Sequence, residues 1–103
     1  AAELGLRWQE QQAGREVDEA RRAVATADAR LAAAREAVAA SESVRSLRTA
    51  RHREGLLPLV EVLDAESGLS GARALLLASL FESRLSRAAL ALALGQPIEG
   101  VKE

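Results

Sequence analysis

The segment RHREGLLPLVEVLDAESGL, residues 51–69, interrupts a chain that is otherwise composed for continuous helix. The sequence on both sides of it is rich in Ala, Arg and Glu, which are strong helix formers. Gly55 suits the residue that follows a helix, where a positive φ is needed, and Pro58 suits the first turn of the next helix. Glu61 and Asp64 come next, close to a helix N-terminus, where the helix dipole favours anions. The segment therefore predicts a turn between two long helices.

Heptad spacing on both sides of the turn predicts that the helices pair along a narrow strip, which we call the seam. In each half a mostly large apolar residue recurs every seventh position, with a small residue three positions after it. Folding about Gly55 and Leu56 sets residue i opposite about residue 111 − i and leaves the residues before about Val17 as an overhang. The seam consists of Val17, Ala20, Val24, Ala27, Leu31, Ala34, Val38 and Ser41 in the first half, and Val62, Ala65, Leu69, Ala72, Leu76, Ser79, Ser83, Ser86, Leu90 and Ala93 in the second.

After Ser41 the heptad positions of the first helix fall on Arg45 and Arg48. Because arginine is unusual in an apolar seam, the pattern predicts a slip in the repeat, with Val44 and Leu47 supplying the apolar face instead. A step of three residues would overwind the supercoil locally.

The predicted fold is all-α, a long antiparallel helical hairpin of the coiled-coil type. It has a first helix over about residues 2–53, a tip at 54–58, a second helix over about 59–94 and a short tail at 95–103, with Gly95 and Pro97 ending the second helix. The second helix has more apolar surface than one partner covers, which predicts one stave of a larger assembly and self-association of the isolated hairpin. The surplus residues are Leu77, Leu80, Phe81, Leu85, Ala88 and Leu92.

Gly68 and Gly71 lie inside the second predicted helix, where each costs about 1 kcal/mol relative to alanine. Two interpretations account for them: close packing of the helices beside Ala65 and Ala72, or a hinge that opens the hairpin. The sequence favours close packing.

Composition excludes several classes of function. The chain has 103 residues, a formal net charge of −1 and interspersed charges, without the basic stripe of a nucleic-acid-binding protein or a polybasic membrane anchor. It has no cysteine, hence no disulfide and no thiolate zinc site, and no apolar run long enough for a transmembrane helix. Because the chain starts with Ala1 and has no methionine, we interpret it as part of a longer protein whose targeting signal lies elsewhere.

The residues from His52 to Ala65, HREGLLPLVEVLDA, resemble the hairpin tip of the TolC-like outer membrane efflux proteins. In their second repeat an aromatic residue is followed by two residues, a glycine, several residues and a D-V-L-[DN]-A element. The ending LALALG at residues 90–95 is similar to the L-x-x-A-L-G that closes the last long helix of the family. The resemblance covers about Val17 to Gly95.

The resemblance implies a homotrimeric conduit in which each protomer adds strands to an outer-membrane barrel and helical hairpins to a periplasmic α-barrel. The strands would precede Ala1, and membrane contact would occur only through such segments outside this chain. The hairpin itself would lie in the periplasm, with its tip gating the channel and docking a periplasmic adaptor that connects to an inner-membrane pump. No enzymatic activity, cofactor or nucleic-acid partner is implied.

Carried over residue by residue, the resemblance assigns adaptor docking to the tip residues Glu54, Gly55, Leu56 and Leu57. It assigns the channel constriction and its gating to His52, Glu61 and Asp64. The two acids could face the channel axis, or they could serve only as acids at a helix N-terminus. Two departures stand out. His52 replaces an aromatic residue, and Glu54-Gly55-Leu56-Leu57 replaces a Val-Gly-x-Arg sequence, so the arginine that would hold the channel closed has no counterpart at the tip.

Other functions stay open at the level of sequence. The chain could be the coiled-coil hairpin of a periplasmic adaptor, which lacks the D-V-L-[DN]-A element, or a cytoplasmic coiled-coil signalling or scaffold module. His52 near Pro58 resembles the phosphoacceptor helix of sensor kinases, but Arg53 follows the histidine and Pro58 comes one position late. We therefore interpret His52 as a solvated histidine at a helix end, and no catalytic or cofactor constellation is predicted.

Overall fold

The computed structural model describes residues 2–95, with side-chain surroundings from residue 3 onward. Helix α1 spans Ala2–Arg53 and helix α2 spans Leu59–Ala93, and the described residues include no strand. The predicted all-α antiparallel helical hairpin is confirmed. The tail beyond Gly95, with Pro97, lies outside the described residues. Contacts divide the chain into two units, one formed by residues 29–80 and the other by residues 1–28 with 81–103.

The unit of residues 29–80 contains the turn and the most buried side chain. Ala34, Ala65 and Ser79 are buried, and Leu69 is 1% exposed. All four are predicted seam positions, so the heptad pattern locates the helix–helix contact correctly. Arg45 Nη1 lies 3.6 Å from Glu66 Oε1 across this contact, a pair that fits the register set by a turn at Gly55 and Leu56.

The second unit also packs through predicted seam positions, Ala27 on α1 and Ser83 on α2, both buried. Beside them the Asp28 carboxylate accepts a hydrogen bond from Ser83 Oγ at 3.0 Å and one from Arg87 Nη2 at 2.7 Å. The buried Ser83 hydroxyl therefore has a hydrogen-bond acceptor at the edge of the contact. Residues 3–16 are all exposed and Val17 is the first half-buried residue of α1, as the predicted overhang requires.

The predicted slip of the seam after Ser41 is wrong. Val44 and Leu47 are 42% and 54% exposed, whereas Arg45 and Arg48 are half-buried and keep the heptad positions. An arginine can occupy such a position because its aliphatic stem lies along the contact while the guanidinium reaches the edge. Acidic residues of α2 meet both guanidinium groups there, and the repeat continues without a step.

The prediction that Gly68 and Gly71 allow close helix packing is also wrong. Both are exposed, and a Cβ atom built on either would have no atom within 4 Å outside its own helix. The close contacts are made instead by the seam alanines such as Ala65. Gly68 borders an open groove between the helices, lined on the α1 side by Ala40, Ser41, Val44 and Arg48.

The apolar surplus of α2 faces solvent, as the sequence predicts. Leu77, Phe81, Leu85 and Leu92 are each more than half exposed, and Leu80 and Ala88 are half-buried. Exposed large side chains in this number on one helix indicate a surface that a partner covers, since isolated examples are common but runs at helical spacing are not.

Candidate functional site at the turn

Helix α1 ends in a Schellman motif centred on Gly55. The Gly55 N–H donates to the carbonyl of His52 at 2.9 Å, and the Leu56 N–H donates to the carbonyl of Arg51 at 2.9 Å. This pair of bonds needs a left-handed residue after the helix, and Gly55 has φ of 80°. Glycine at this position is therefore required by the backbone conformation.

Gly55 also presents bare backbone to solvent. Nothing lies within 4 Å of a Cβ built on it, so a side chain there would project outward without a clash inside the chain. Its neighbours Glu54 and Leu56 are exposed, with Leu56 at 67%, while Leu57 is half-buried. Three of the four residues assigned to docking are thus accessible, and Leu57 is partly turned inward.

His52 is half-buried, which differs from the fully solvated histidine expected from the sequence. Its Nδ1 lies 2.8 Å from the carbonyl oxygen of Leu57. Since a carbonyl only accepts, Nδ1 carries the proton and donates it, which requires either the Nδ1–H tautomer or the imidazolium. This bond connects the end of α1 to the residue before Pro58 and closes the turn.

Helix α2 begins at Leu59, and Pro58 is the residue immediately before it. The proline is thus one position earlier than the expected place in the first turn. The Pro58 carbonyl accepts from the Glu61 N–H at 3.1 Å. Glu61 and Asp64 then meet Arg48 of α1. Arg48 Nη1 lies 3.3 Å from Asp64 Oδ2 and 3.5 Å from Glu61 Oε2, and it donates to the Glu61 carbonyl at 3.2 Å.

Arg48 is the residue of this site that the sequence reasoning missed. It had been counted as a break in the apolar seam, although it lies in a heptad position and its mirror residue across the turn falls next to Asp64. Both signals were available and together indicate a cross-helix ion pair. Arg48 supplies the two carboxylates with a counter-charge from within the chain.

A second feature absent from the predicted site is an apolar strip that begins at the turn. Leu56, Leu59, Val60 and Leu63 are between 54% and 67% exposed. From Leu59 they follow the spacing of one helix face, and that face points away from the contact with α1. The tip therefore combines bare backbone, exposed apolar side chains and a neutralised pair of acids.

The described residues hold no cluster of metal ligands. They include no group of three or more His, Asp or Glu side chains placed to hold a metal ion. The groove next to the turn, about 450 Å³, is open to solvent and lined by Arg45, Ser46, Thr49, Ala50, Arg53 and Glu66. An open, charged groove lacks the enclosed apolar wall of a small-molecule site. Within the described residues, no helix is both long and apolar enough to span a bilayer.

The contacts of Arg48 predict a measurable role in holding the turn. Arg48→Met keeps the stem but removes the guanidinium, and we expect it to lower the free energy of unfolding by about 1 kcal/mol, because two ion pairs and a hydrogen bond are lost. Arg45→Met is the matched control, since Arg45 pairs with Glu66 at 3.6 Å and is more exposed than Arg48, and it should cost under about 0.5 kcal/mol. Urea denaturation measures both. If both variants lower the free energy of unfolding equally, the contacts of Arg48 have no special role in holding the turn.

No protein-family model matches the chain, and neither a curated protein nor a solved structure matches it. The assignments made from the resemblance therefore depend on the residues of the tip and on its geometry.

Proposed function

We propose that the chain is a helical hairpin from the periplasmic tunnel of a TolC-like outer membrane efflux channel. In this proposal it walls the tunnel within a homotrimer, gates the channel at the turn, and docks a periplasmic adaptor that is coupled to an inner-membrane pump. The observation that carries the proposal is Gly55, which is exposed, has a positive φ and leaves the backbone open to close approach.

The form of the tip supports docking. A contact between two hairpin tips needs exposed backbone that is held in one conformation, because ordering a loose loop on binding would cost affinity. The Schellman bonds and the bond from His52 to Leu57 fix the turn. Leu56 and Leu59 add exposed apolar area to the contact.

The exposed apolar side of α2 supports the role of a stave. A free-standing two-helix hairpin, such as that of an adaptor, needs only its seam to be apolar. Here Leu77, Phe81 and Leu92 remain more than half exposed, which suits a helix with neighbours on two sides. This surface favours the channel over the alternative of an adaptor hairpin, although a cytoplasmic scaffold could use it too.

Gating is proposed for the same turn, with His52, Glu61 and Asp64 near the constriction. Threefold symmetry would place three copies of each acid in a ring around the constriction. It would place three copies of Arg48 beside them. Because Asp64 is 78% exposed in its ion pair with Arg48, it keeps a free face toward an incoming cation. The electrostatic attraction of the constriction for a cation then depends on whether Arg48 stays beside these acids.

Block of the channel by a trivalent cation such as lanthanum tests this proposal. In planar bilayers holding the longer protein, Asp64→Asn should weaken the block at least tenfold, because each protomer loses one carboxylate and leaves Arg48 with less compensation. Glu66→Gln is the control, since Glu66 also pairs with an arginine of α1 but lies further from the turn. Failure of the protein to form channels at all would overturn the proposal, and equal block of the two variants would overturn the gating assignment.

A further inference from the structure

The open groove beside the turn is lined by more positive than negative side chains. Arg45 and Arg53 are the first and last residues of α1 that line it, and Glu66 lines it from α2. Glu66 pairs with Arg45 at 3.6 Å. Arg53 and its neighbour Glu54 are both exposed, and neither forms an ion pair within the described residues. The hairpin therefore leaves the guanidinium of Arg53 without a counter-charge at the edge of this groove.

Two hydroxyl groups lie on the same side of α1 as Arg53. Ser46, Ala50 and Arg53 follow one another at spacings of four and three residues, and Thr49 lies one turn before Arg53. Thr49 is half-buried, and neither its hydroxyl nor that of Ser46 forms a hydrogen bond within the part of the chain that the structure describes. Ala50 has only a methyl group and leaves the space above it open. This side of α1 thus offers a guanidinium and two hydroxyl groups to a group that accepts hydrogen bonds.

The chemistry of the groove suits a carboxylate. A carboxylate accepts two parallel N–H bonds from a guanidinium and keeps lone pairs for a hydroxyl such as that of Thr49. A phosphate carries nearly two negative charges and would need a second free cation, whereas Arg45 is already paired with Glu66. Because the groove is open and lacks an enclosed apolar wall, it suits a side chain that another protein presents rather than a small molecule.

We propose that Arg53 binds an Asp or Glu side chain on the hairpin of the periplasmic adaptor, with Thr49 donating to the same carboxylate. This inference rests on the proposed function and names the chemistry of the partner. Arg53 lies two residues before Gly55, so the groove adjoins the exposed backbone of the tip. A charge pair at this place makes docking specific, because a hairpin with a basic residue there would be repelled.

Charge reversal in the longer protein, in cells that contain the adaptor, tests this pair. With a photoactivatable amino acid in place of Leu56, Arg53→Glu should lower the yield of cross-linked adaptor about tenfold or more, because two carboxylates would then face each other. Trimer assembly should be unchanged. Arg51→Glu is the matched control, since Arg51 is also exposed in the last turn of α1 but does not line the groove. It should keep at least about half of the yield.

Selection for restored drug resistance in cells with Arg53→Glu supplies a second readout. The restoring changes should replace an Asp or Glu of the adaptor hairpin with Lys or Arg. A yield with Arg53→Glu equal to that of the unmodified protein, or an equal loss with Arg51→Glu, would overturn the pair and leave docking itself intact. The absence of any adaptor adduct from the unmodified protein would instead overturn the proposed function, and the pair with it.

Discussion

Leu69→Ala should lower the free energy of unfolding by about 2–3 kcal/mol. Leu69 is the largest fully buried side chain in the described residues, at 1% exposure, and the other buried residues of its unit are the small Ala34, Ala65 and Ser79. Small neighbours cannot move in to fill the space of a lost isobutyl group, so the transfer term and the cavity term both apply. A seam with so few large buried residues depends strongly on this one.

Leu75→Ala is the matched control for Leu69→Ala. It makes the same chemical change on the same helix, but Leu75 is 58% exposed and lies off the seam. We expect an effect of less than about 0.5 kcal/mol. Urea denaturation at high dilution, where association does not contribute, measures both variants. If the two variants lower the free energy of unfolding by amounts that differ by less than about 1 kcal/mol, Leu69 is not a central residue of the core.

Gly55→Asn should abolish adaptor docking while the hairpin stays folded. Asparagine tolerates the left-handed conformation that Gly55 adopts, with φ of 80°, so the cap is retained at a cost of well under about 1 kcal/mol. The added side chain has nothing within 4 Å in its own chain and therefore projects into the space that an adaptor would occupy. In the longer protein we expect normal trimer assembly, lost drug resistance and lost cross-linking to the adaptor.

Gly95→Asn is the control that distinguishes an effect on adaptor docking from an effect on helix capping. Gly95 ends α2 with φ of 74° and its N–H donates to the carbonyl of Leu92 at 3.0 Å, so it repeats the local conformation of Gly55 away from the turn. This variant should keep resistance and cross-linking at the level of the unmodified protein. If Gly55→Asn also keeps both in an assembled trimer, bare backbone at the tip has no role in docking.

The turn and the seam could be predicted because each depends on local rules. A glycine after a helix, a proline before the next one and a repeat of seven leave few alternatives. The repeat alone does not identify the role of Arg48, which needs the mirror relation across the turn as well, because that relation sets it beside Asp64. The same holds for His52, whose partner is the Leu57 carbonyl. Side chains that combine an apolar body with a polar end are placed by their partners, and a linear pattern does not show those partners.

The apolar surplus further along α2 was predicted, but the exposed apolar residues at the start of α2 were given no role. Leu59, Val60 and Leu63 occur within a run of apolar residues in which one seam already accounts for Val62. Where apolar residues are this dense, the sequence does not show which of them belong to the seam and which face solvent. Their exposed fractions in the structure distinguish the two groups directly. Gly68 and Gly71 were misassigned for a related reason. They lie off the seam, and a Cβ built on either has nothing within 4 Å.

A photoactivatable amino acid at Leu56 in the longer protein, illuminated in living cells, tests the docking claim most directly. Leu56 is 67% exposed and adjoins Gly55, so a cross-linker there reaches whatever approaches the tip. We predict one main adduct with the hairpin of a periplasmic adaptor, absent when the cross-linker replaces Ala23 on the exposed side of α1. Adducts with cytoplasmic proteins, or none in cells where the adaptor and the channel are both present, would contradict the account.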